Sequence, residues 1–232
     1  MKEQLTVEKQ AVVGMYNSEN KAGRTVIERI FGVSVFKPRP VGVWCLGTDG
    51  KMYPAGEWNN TFLSQGVLVV TEETAFIIAP HVNVALQWGA MDKAKSALVS
   101  DTESLDSKAA TDAMIAAYKD THHEDNDGKI WDVYGAPAAE FCRSFSHGNI
   151  GAGSWDLPTI TQLKIMHEKL DEINECLLSM DGYRLTAGWY WSSISNENNP
   201  RSAWCVAILY GGVSNGNKFG THYVRAVSAF QL

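Results

Sequence analysis

Positive charge is scarce in this chain. Lys and Arg total 20 against 26 Asp and Glu, a formal charge of −6, whereas proteins that grip nucleic acid usually present a basic face. Nucleic acid is therefore not an expected partner. Cysteine is scarce too: Cys45, Cys142, Cys176 and Cys205 are scattered, with no CxxC pair. That spacing suggests neither a zinc site nor any other bound metal, and buried free thiols are the expected state, though spacing alone does not exclude a disulfide. No apolar run is long enough to span a bilayer, so membrane insertion is not expected. The opening residues, Met1 to Lys9, lack the apolar core of a secretory signal. A protein that acts outside the cell would then leave without one, as phage structural proteins do on lysis, or would have lost it. Internal repeats are missing, and the Asn/Ser-rich stretch 195–199 is the one biased segment.

What remains is an ordinary globular composition, 45% hydrophobic and 20% charged over 232 residues, with length for one large domain or a domain plus an appendage. The most distinctive stretch is the last quarter, Gly188 to Phe230, where aromatic-rich strand segments alternate with Asn-, Ser- and Gly-rich loops. Around Trp204 a period-two alternation puts Trp204, Val206 and Ile208 on one face and Cys205, Ala207 and Leu209 on the other. We expect the Trp204 face to be core, with Trp204→Ala costing about 3–5 kcal/mol. The other face, running into Tyr210, is expected to point outward. After Gly211-Gly212 and the polar run Ser214 to Asn217, the chain returns as Tyr223 to Phe230, apolar enough for one central strand.

Upstream, residues 1–36 read as an N-terminal appendage serving attachment or homo-oligomerisation, ending in the Lys37-Pro38-Arg39-Pro40 break; an equal alternative is a helix packed on the domain. Val41 to Leu46 and Lys51 to Tyr53 flank the hairpin signal Thr48-Asp49-Gly50, and Val67 to Val70 with Ala75 to Ala79 make a second hairpin. A helix is expected over about Thr102 to Lys119 and a shorter one over Ala136 to Phe145 with Pro137 in its first turn. The clearest helix runs from Thr159 to Ser179. It opens on a Thr159/Gln162 capping box, and Leu163, Met166, Leu170, Ile173 and Leu177 form its apolar stripe.

Several fragments recur in a familiar order: Ala138-Ala139-x-x-Cys142, Gly153-Ser-Trp-Asp-Leu-Pro-Thr159, Trp189-Tyr-Trp-Ser-Ser193, Ala203-Trp204-x-Val206, Gly211-Gly212 and Tyr223-Val-Arg-Ala-Val-x-Ala-Phe230. Together they resemble the C-type-lectin-like variable proteins of diversity-generating retroelements, of the kind found in gut Bacteroides and their phages, which share a fold with phage tropism determinants. The resemblance covers roughly residues 40–232. It implies an α+β, C-type-lectin-like fold in which two helices pack on antiparallel sheets over residues 37–232, with a variable region at about 188–230. It also implies a ligand-binding role: recognition of a protein or glycan on a cell surface, by a phage receptor-binding or adhesin-like protein on a virion or cell surface. A virion assembly protein, whose C-terminal face packs on another subunit, is the second reading.

In such proteins error-prone copying at adenines of Asn codons cannot generate Trp, Lys, Glu, Gln or Met. Ser195, Arg201, Ser202, Cys205, Ala207, Leu209, Tyr210, Ser214, Phe219, Gly220, Thr221 and His222 are all reachable types, and they fall where the outward face and its loops are expected. They form the candidate ligand-binding set, with Tyr210, Phe219, His222 and Arg201 supplying aromatic area and directional donors. Trp191, Trp204 and Lys218 are unreachable types at expected scaffold positions, and Glu197 departs from the rule.

Other sites attract attention and carry less. His122-His123-Glu124-Asp125-x-Asp127 lacks calcium-loop spacing and reads as a solvated loop. Glu197, Asn198 and Asn199 could supply oxygens to a sugar-binding calcium, but no Glu-Pro-Asn motif accompanies them. Formylglycine-generating enzymes share the fold class and need paired C-terminal cysteines, whereas only Cys205 lies in the last fifty residues. No nucleophile–base arrangement stands out either, so no catalytic residue and no cofactor is expected.

Overall fold

Two five-stranded sheets are packed between two apolar cores, and the central strands face both: β3, for example, gives Leu68 to one core and Val67 to the other. A computed structural model describes residues 41–123 and 133–229; Val41–Leu232 forms one compact unit. The appendage expected over 1–36 lies outside the described residues.

The chain opens with β1 (Gly42–Gly47) and β2 (Met52–Tyr53), an antiparallel hairpin. Its turn is held by the Asp49 carboxylate, which accepts from the Lys51 amide and the Tyr53 hydroxyl. Strands β3 (Ser64–Val70) and β4 (Ala75–Ile78) follow as the second expected hairpin, closed by Thr71 Oγ1, which accepts from the Glu73 and Thr74 amides. After β5 (Val84–Gln87) come a single turn α1 (Lys93–Ser96) and the helix α2 (Ser107–Tyr118). That helix starts later than expected because Asp101 and Ser104 accept from the amides of Glu103 and Asp106, fixing local turns that compete with a helix. Asp106 then caps α2 through the Ala109 amide. Strands β6 (His122–His123) and β7 (Val133–Tyr134) pair briefly; the rest of the His/Asp-rich motif lies outside the described residues. Helix α3 (Pro137–Ser144) is the expected one with Pro at its start.

The long helix expected over 159–179 is two helices, α4 (Ile160–Glu168) and α5 (Leu170–Ser179), broken at Lys169 (φ −107°, ψ 21°). The capping box is present, with the Gln162 amide on Thr159 Oγ1 at 3.3 Å and the Thr159 amide on Gln162 Oε1 at 3.0 Å. The break has a packing cause. Helix α4 lies against β8 (Trp189–Ser195) and β9 (Ser202–Ala207), while α5 lies against β1 and β3, so one straight stripe cannot serve both sheets.

The C-terminal strands are β10 (Val213–Asn217), β11 (Thr221–Val224) and β12 (Val227–Ala229). The single strand expected over 223–230 is therefore two, in different sheets. One sheet runs β12-β4-β3-β1-β2 and the other β10-β9-β8-β11-β5. The chain crosses between them at Arg225, a buried guanidinium that donates to the carbonyls of Ala79 (3.0 Å), Tyr183 (2.9 Å) and Arg184 (3.1 Å). Its pKa is pushed down to about 10 by burial, and those three carbonyls fix where the crossing occurs. Strand β12 is tied in turn by paired backbone bonds between Val227 and Asp156, whose carboxylate lies 2.5 Å from Arg143 Nη1.

The first core contains Leu68, Ile77, Trp88, Met114, Tyr118, Trp155, Trp191 and Cys205. The second contains Cys45, Val67, Phe76, Leu163, Ile173, Tyr190, Val206 and Ile208. Among the described residues no helix is long and apolar enough to cross a membrane.

Candidate ligand-binding surface

The alternation read from the sequence is present in the pairing register. Trp191 pairs with Cys205 and Cys205 with Ser214, while Tyr190 pairs with Val206 and Val206 with Val213. Cys205 and Ser214 thus share one face of the sheet. That face is not open, however. Both faces of β9 are covered, because the Trp191 side belongs to the first core and the Tyr190 side to the second. Five of the twelve candidate residues are consequently buried rather than displayed: Ser195, Ser202, Cys205, Ala207 and Phe219. Burial pushes the Cys205 thiol up to about 12, and its sulfur donates to the Ser214 carbonyl at 3.4 Å. Trp204 is only partly buried, so the deepest tryptophan of the strand pair is Trp191, 0% exposed.

His222 is half-buried. Its ring lies over Trp191, centroids 4.2 Å apart, and desolvation lowers its pKa, so it covers the tryptophan as a neutral imidazole at neutral pH. Gly216 makes this possible, since a Cβ there would collide with the His222 ring and approach Trp191 to 2.8 Å. Trp191 Nε1 donates to the Leu86 carbonyl at 2.8 Å, tying β8 to β5 across the sheet.

One end of the sheet carries Arg201, Gly220 and Thr221, with Arg201 and Thr221 exposed and Gly220 half-buried. This end is polar and built of turns. Asn196 Oδ1 accepts from the Asn198 amide (3.0 Å) and the Asn199 amide (3.3 Å), and Glu197 accepts from Ser100 Oγ at 3.3 Å. Of the groups considered for calcium, Glu197 is thus engaged with Ser100, and Asn199 Oδ1 accepts from the Arg201 amide at 3.2 Å. The 217–220 turn is fixed from beneath by Lys218, which is fully buried. Its ammonium donates to Tyr118 Oη (3.0 Å) and Ser96 Oγ (3.1 Å) and lies 4.5 Å from the centre of the Trp88 ring. Burial pulls its pKa down to about 7.

The other end is apolar. Trp189 (38% exposed), Leu209 (41%), Tyr210 (84%) and Val213 (39%) are four large hydrophobic side chains left open to solvent where β8 begins and β9 turns into β10. Trp189 pairs with Ala207, and Val213 with Val206, so their backbones lie within about 10 Å of each other across three strands. The turn between them is rigidly held. Tyr210 and Gly211 amides donate to the Ala207 carbonyl (3.1 and 2.8 Å), the Ala207 amide to Gly212 (2.9 Å), and the Ile208 amide to Gly188 (3.2 Å). The His167 imidazole of α4 bonds the Ile208 carbonyl at 2.9 Å. Gly211, at φ +67°, leaves room for that imidazole, into which a Cβ would run. Between Leu209 and the α4–α5 break lies a cleft of about 370 Å³ rimmed by Glu168, Lys169, Asp171 and Glu172.

Leu209 and Tyr210 are thus the candidate residues that the fold both exposes and holds still. Trp189 and Val213 join them and were not in the candidate set; Trp189 lies on the Trp191 side of the sheet and Val213 on the Tyr190 side. The signal that could have found them is position in the strand, since residues at the first position of a strand lie beyond the helices covering its middle. The two ends of β9 are separated by about 17 Å, so the candidate residues form two surfaces and not one.

A comparison with curated proteins finds no match. The family model described as the Lcl C-terminal domain matches residues 81–228, from just before β5 into β12. With that match over more than half of the chain, on an α+β frame that has more helices than the two expected and one parallel pair, β8 with β11, among otherwise antiparallel strands, the protein belongs to the Lcl C-terminal domain family and is a C-type-lectin-like, ligand-binding domain.

Proposed function

We propose that the chain recognises a cell-surface protein or glycan, and that the β9–β10 tip is its main contact, in a phage receptor-binding or adhesin-like role without catalysis. The observation that carries this reading is the exposure of Trp189, Leu209, Tyr210 and Val213 at the one end of the sheet where a braced turn joins β9 to β10. Aromatic side chains that stay exposed on rigid backbone lose little conformational entropy on binding and dominate recognition energetics elsewhere. A surface of this kind is diversifiable without harm to the fold. Leu209, Tyr210 and Val213 are all residue types that adenine-directed copying of an Asn codon can produce, while the buried Trp191 and Lys218 are not. The carboxylates Glu168, Asp171 and Glu172 at the adjoining cleft favour a ligand that brings hydrogen-bond donors to the apolar contact.

The test uses fluorescently labelled full chain on a panel of bacterial cells, with binding read by flow cytometry for the wild type and for Leu209→Ala/Tyr210→Ala. Loss of binding with an unchanged melting temperature supports the proposal; undiminished binding sinks it. The second reading, a subunit contact in an assembly, is favoured by the same apolar tip lying beside β10, an edge strand of its sheet. In that case the wild type sediments as an oligomer and the double variant as a smaller species.

A further inference from the structure

We propose that Cys45 and Cys176 are a disulfide-forming pair whose oxidation state is set when the domain folds, stapling α5 to the sheet strand β1. Four cysteines allow six single pairings, and the fold singles out one. Cys45 Sγ donates to the Cys176 carbonyl at 3.7 Å across 131 residues of chain, and the Cys45 thiol is the main influence that raises the Cys176 pKa. Both sit in the second core, on elements packed directly together. The other two cysteines are placed elsewhere. Cys142 is on α3 in the first core, and Cys205 is in β9 with its sulfur on the Ser214 carbonyl.

The chemistry is thiol–disulfide exchange with a small-molecule disulfide. The thiolate of one cysteine attacks the oxidant, releasing one thiol and leaving a mixed disulfide on the protein. The second cysteine loses its proton and attacks the protein sulfur of that mixed disulfide, releasing the second thiol. Two protein thiols have then given up two electrons and two protons, and the oxidant has become two thiols. Both steps need a thiolate and access for the oxidant. Cys45 and Cys176 are buried, and the neighbouring Cys45 thiol together with burial drives the Cys176 pKa upward. The folded domain therefore resists the exchange in either direction. The bond forms while α5 is still unseated from β1, and reductant cannot reach it afterwards. A chain folded in a reducing compartment keeps two thiols, and one folded in an oxidising compartment carries the staple.

The experiment refolds the full chain from urea in a mixture of oxidised and reduced glutathione, confirms native far-UV circular dichroism, and counts alkylatable thiols after denaturation. We expect the count to fall from four to two, with a peptide map joining Cys45 to Cys176. The Cys142→Ser/Cys205→Ser variant should fall to none, and Cys45→Ser should keep all of its remaining thiols alkylatable. The bridged form should melt roughly 10 °C above the reduced one, as expected for a cross-link closing a long loop. Four alkylatable thiols in refolded wild type, a bridge through Cys142 or Cys205, or a bridged form that melts no higher than the reduced one would each overturn the proposal.

Discussion

Replacing Lys218 with Met removes a charge that the fold keeps away from water and leaves a side chain of similar length. The Lys218 ammonium is fully buried, with two hydroxyls and two aromatic rings around it. Desolvation lowers its pKa from 10.5 to about 7, with Asp92 pulling weakly the other way. Between pH 7 and 10.5 the unfolded chain therefore holds a proton that the folded chain has released, so stability rises with pH across that window. Below about pH 7 both states are charged and the full burial cost is present. One proton over that interval corresponds to at most about 4–5 kcal/mol. The ring contacts favour the charged form by about 1–2 kcal/mol and reduce this, so we expect a gain of about 2–3 kcal/mol between pH 7 and pH 10. Lys218→Met should be as stable as the wild type at neutral pH or up to about 2 kcal/mol more so, because the Ser96 and Tyr118 hydroxyls, 3.2 Å apart, still satisfy each other. Urea melts of both proteins across this range isolate the effect, since every other titrating group cancels in the difference. Parallel curves for the two proteins would refute the reasoning.

Trp191→Ala should cost about 3–5 kcal/mol in the same melts, and Trp204→Ala only about 1–2 kcal/mol, less than the roughly 3–5 kcal/mol expected from the sequence. Gly211→Ala forces a left-handed backbone and displaces His167; a loss of about 1–3 kcal/mol in stability, with weaker ligand capture by the tip, should follow. Thr159→Ala should cost about 1 kcal/mol through loss of the α4 cap, measured by chemical denaturation. Sequencing the 3′ end of the gene across a natural population should show substitutions at Leu209, Tyr210 and Val213 and none at Trp191 or Lys218; scattered substitutions that include the two buried positions would remove the case for diversification.

Much of the frame was legible because its signals are local. Thr159 and Gln162 three residues apart, the Thr48-Asp49-Gly50 turn and Pro137 each act within one turn of chain, and each element begins where they place it. The split of 159–179 was not legible, since Leu163, Met166, Leu170, Ile173 and Leu177 make a continuous stripe whether they face one sheet or two. The crossing at Arg225 was hidden for a similar reason: the run from Tyr223 to Phe230 is apolar enough to read as one strand, and only the carbonyls of Ala79, Tyr183 and Arg184 decide where it changes sheets. In the candidate site, parity was readable and exposure was not. Cys205 and Ser214 do share a face, but period two cannot reveal that the first core covers it. Phe219 was misplaced because a residue in a polar-looking loop can still be buried beside an inward-drawn neighbour such as Lys218, and Ser195 because the buried strand β8 runs on into the polar stretch.

The most direct test of the account compares two surfaces of one molecule. Trp189→Ala/Leu209→Ala/Tyr210→Ala removes the apolar tip, and Arg201→Ala/Thr221→Ala trims the polar surface at the far end of β9. Cell binding by both variants is measured beside their melting temperatures. The account predicts that the tip variant loses binding at least tenfold while both melt within a few degrees of the wild type. Binding lost in the Arg201/Thr221 variant and kept in the tip variant would contradict it.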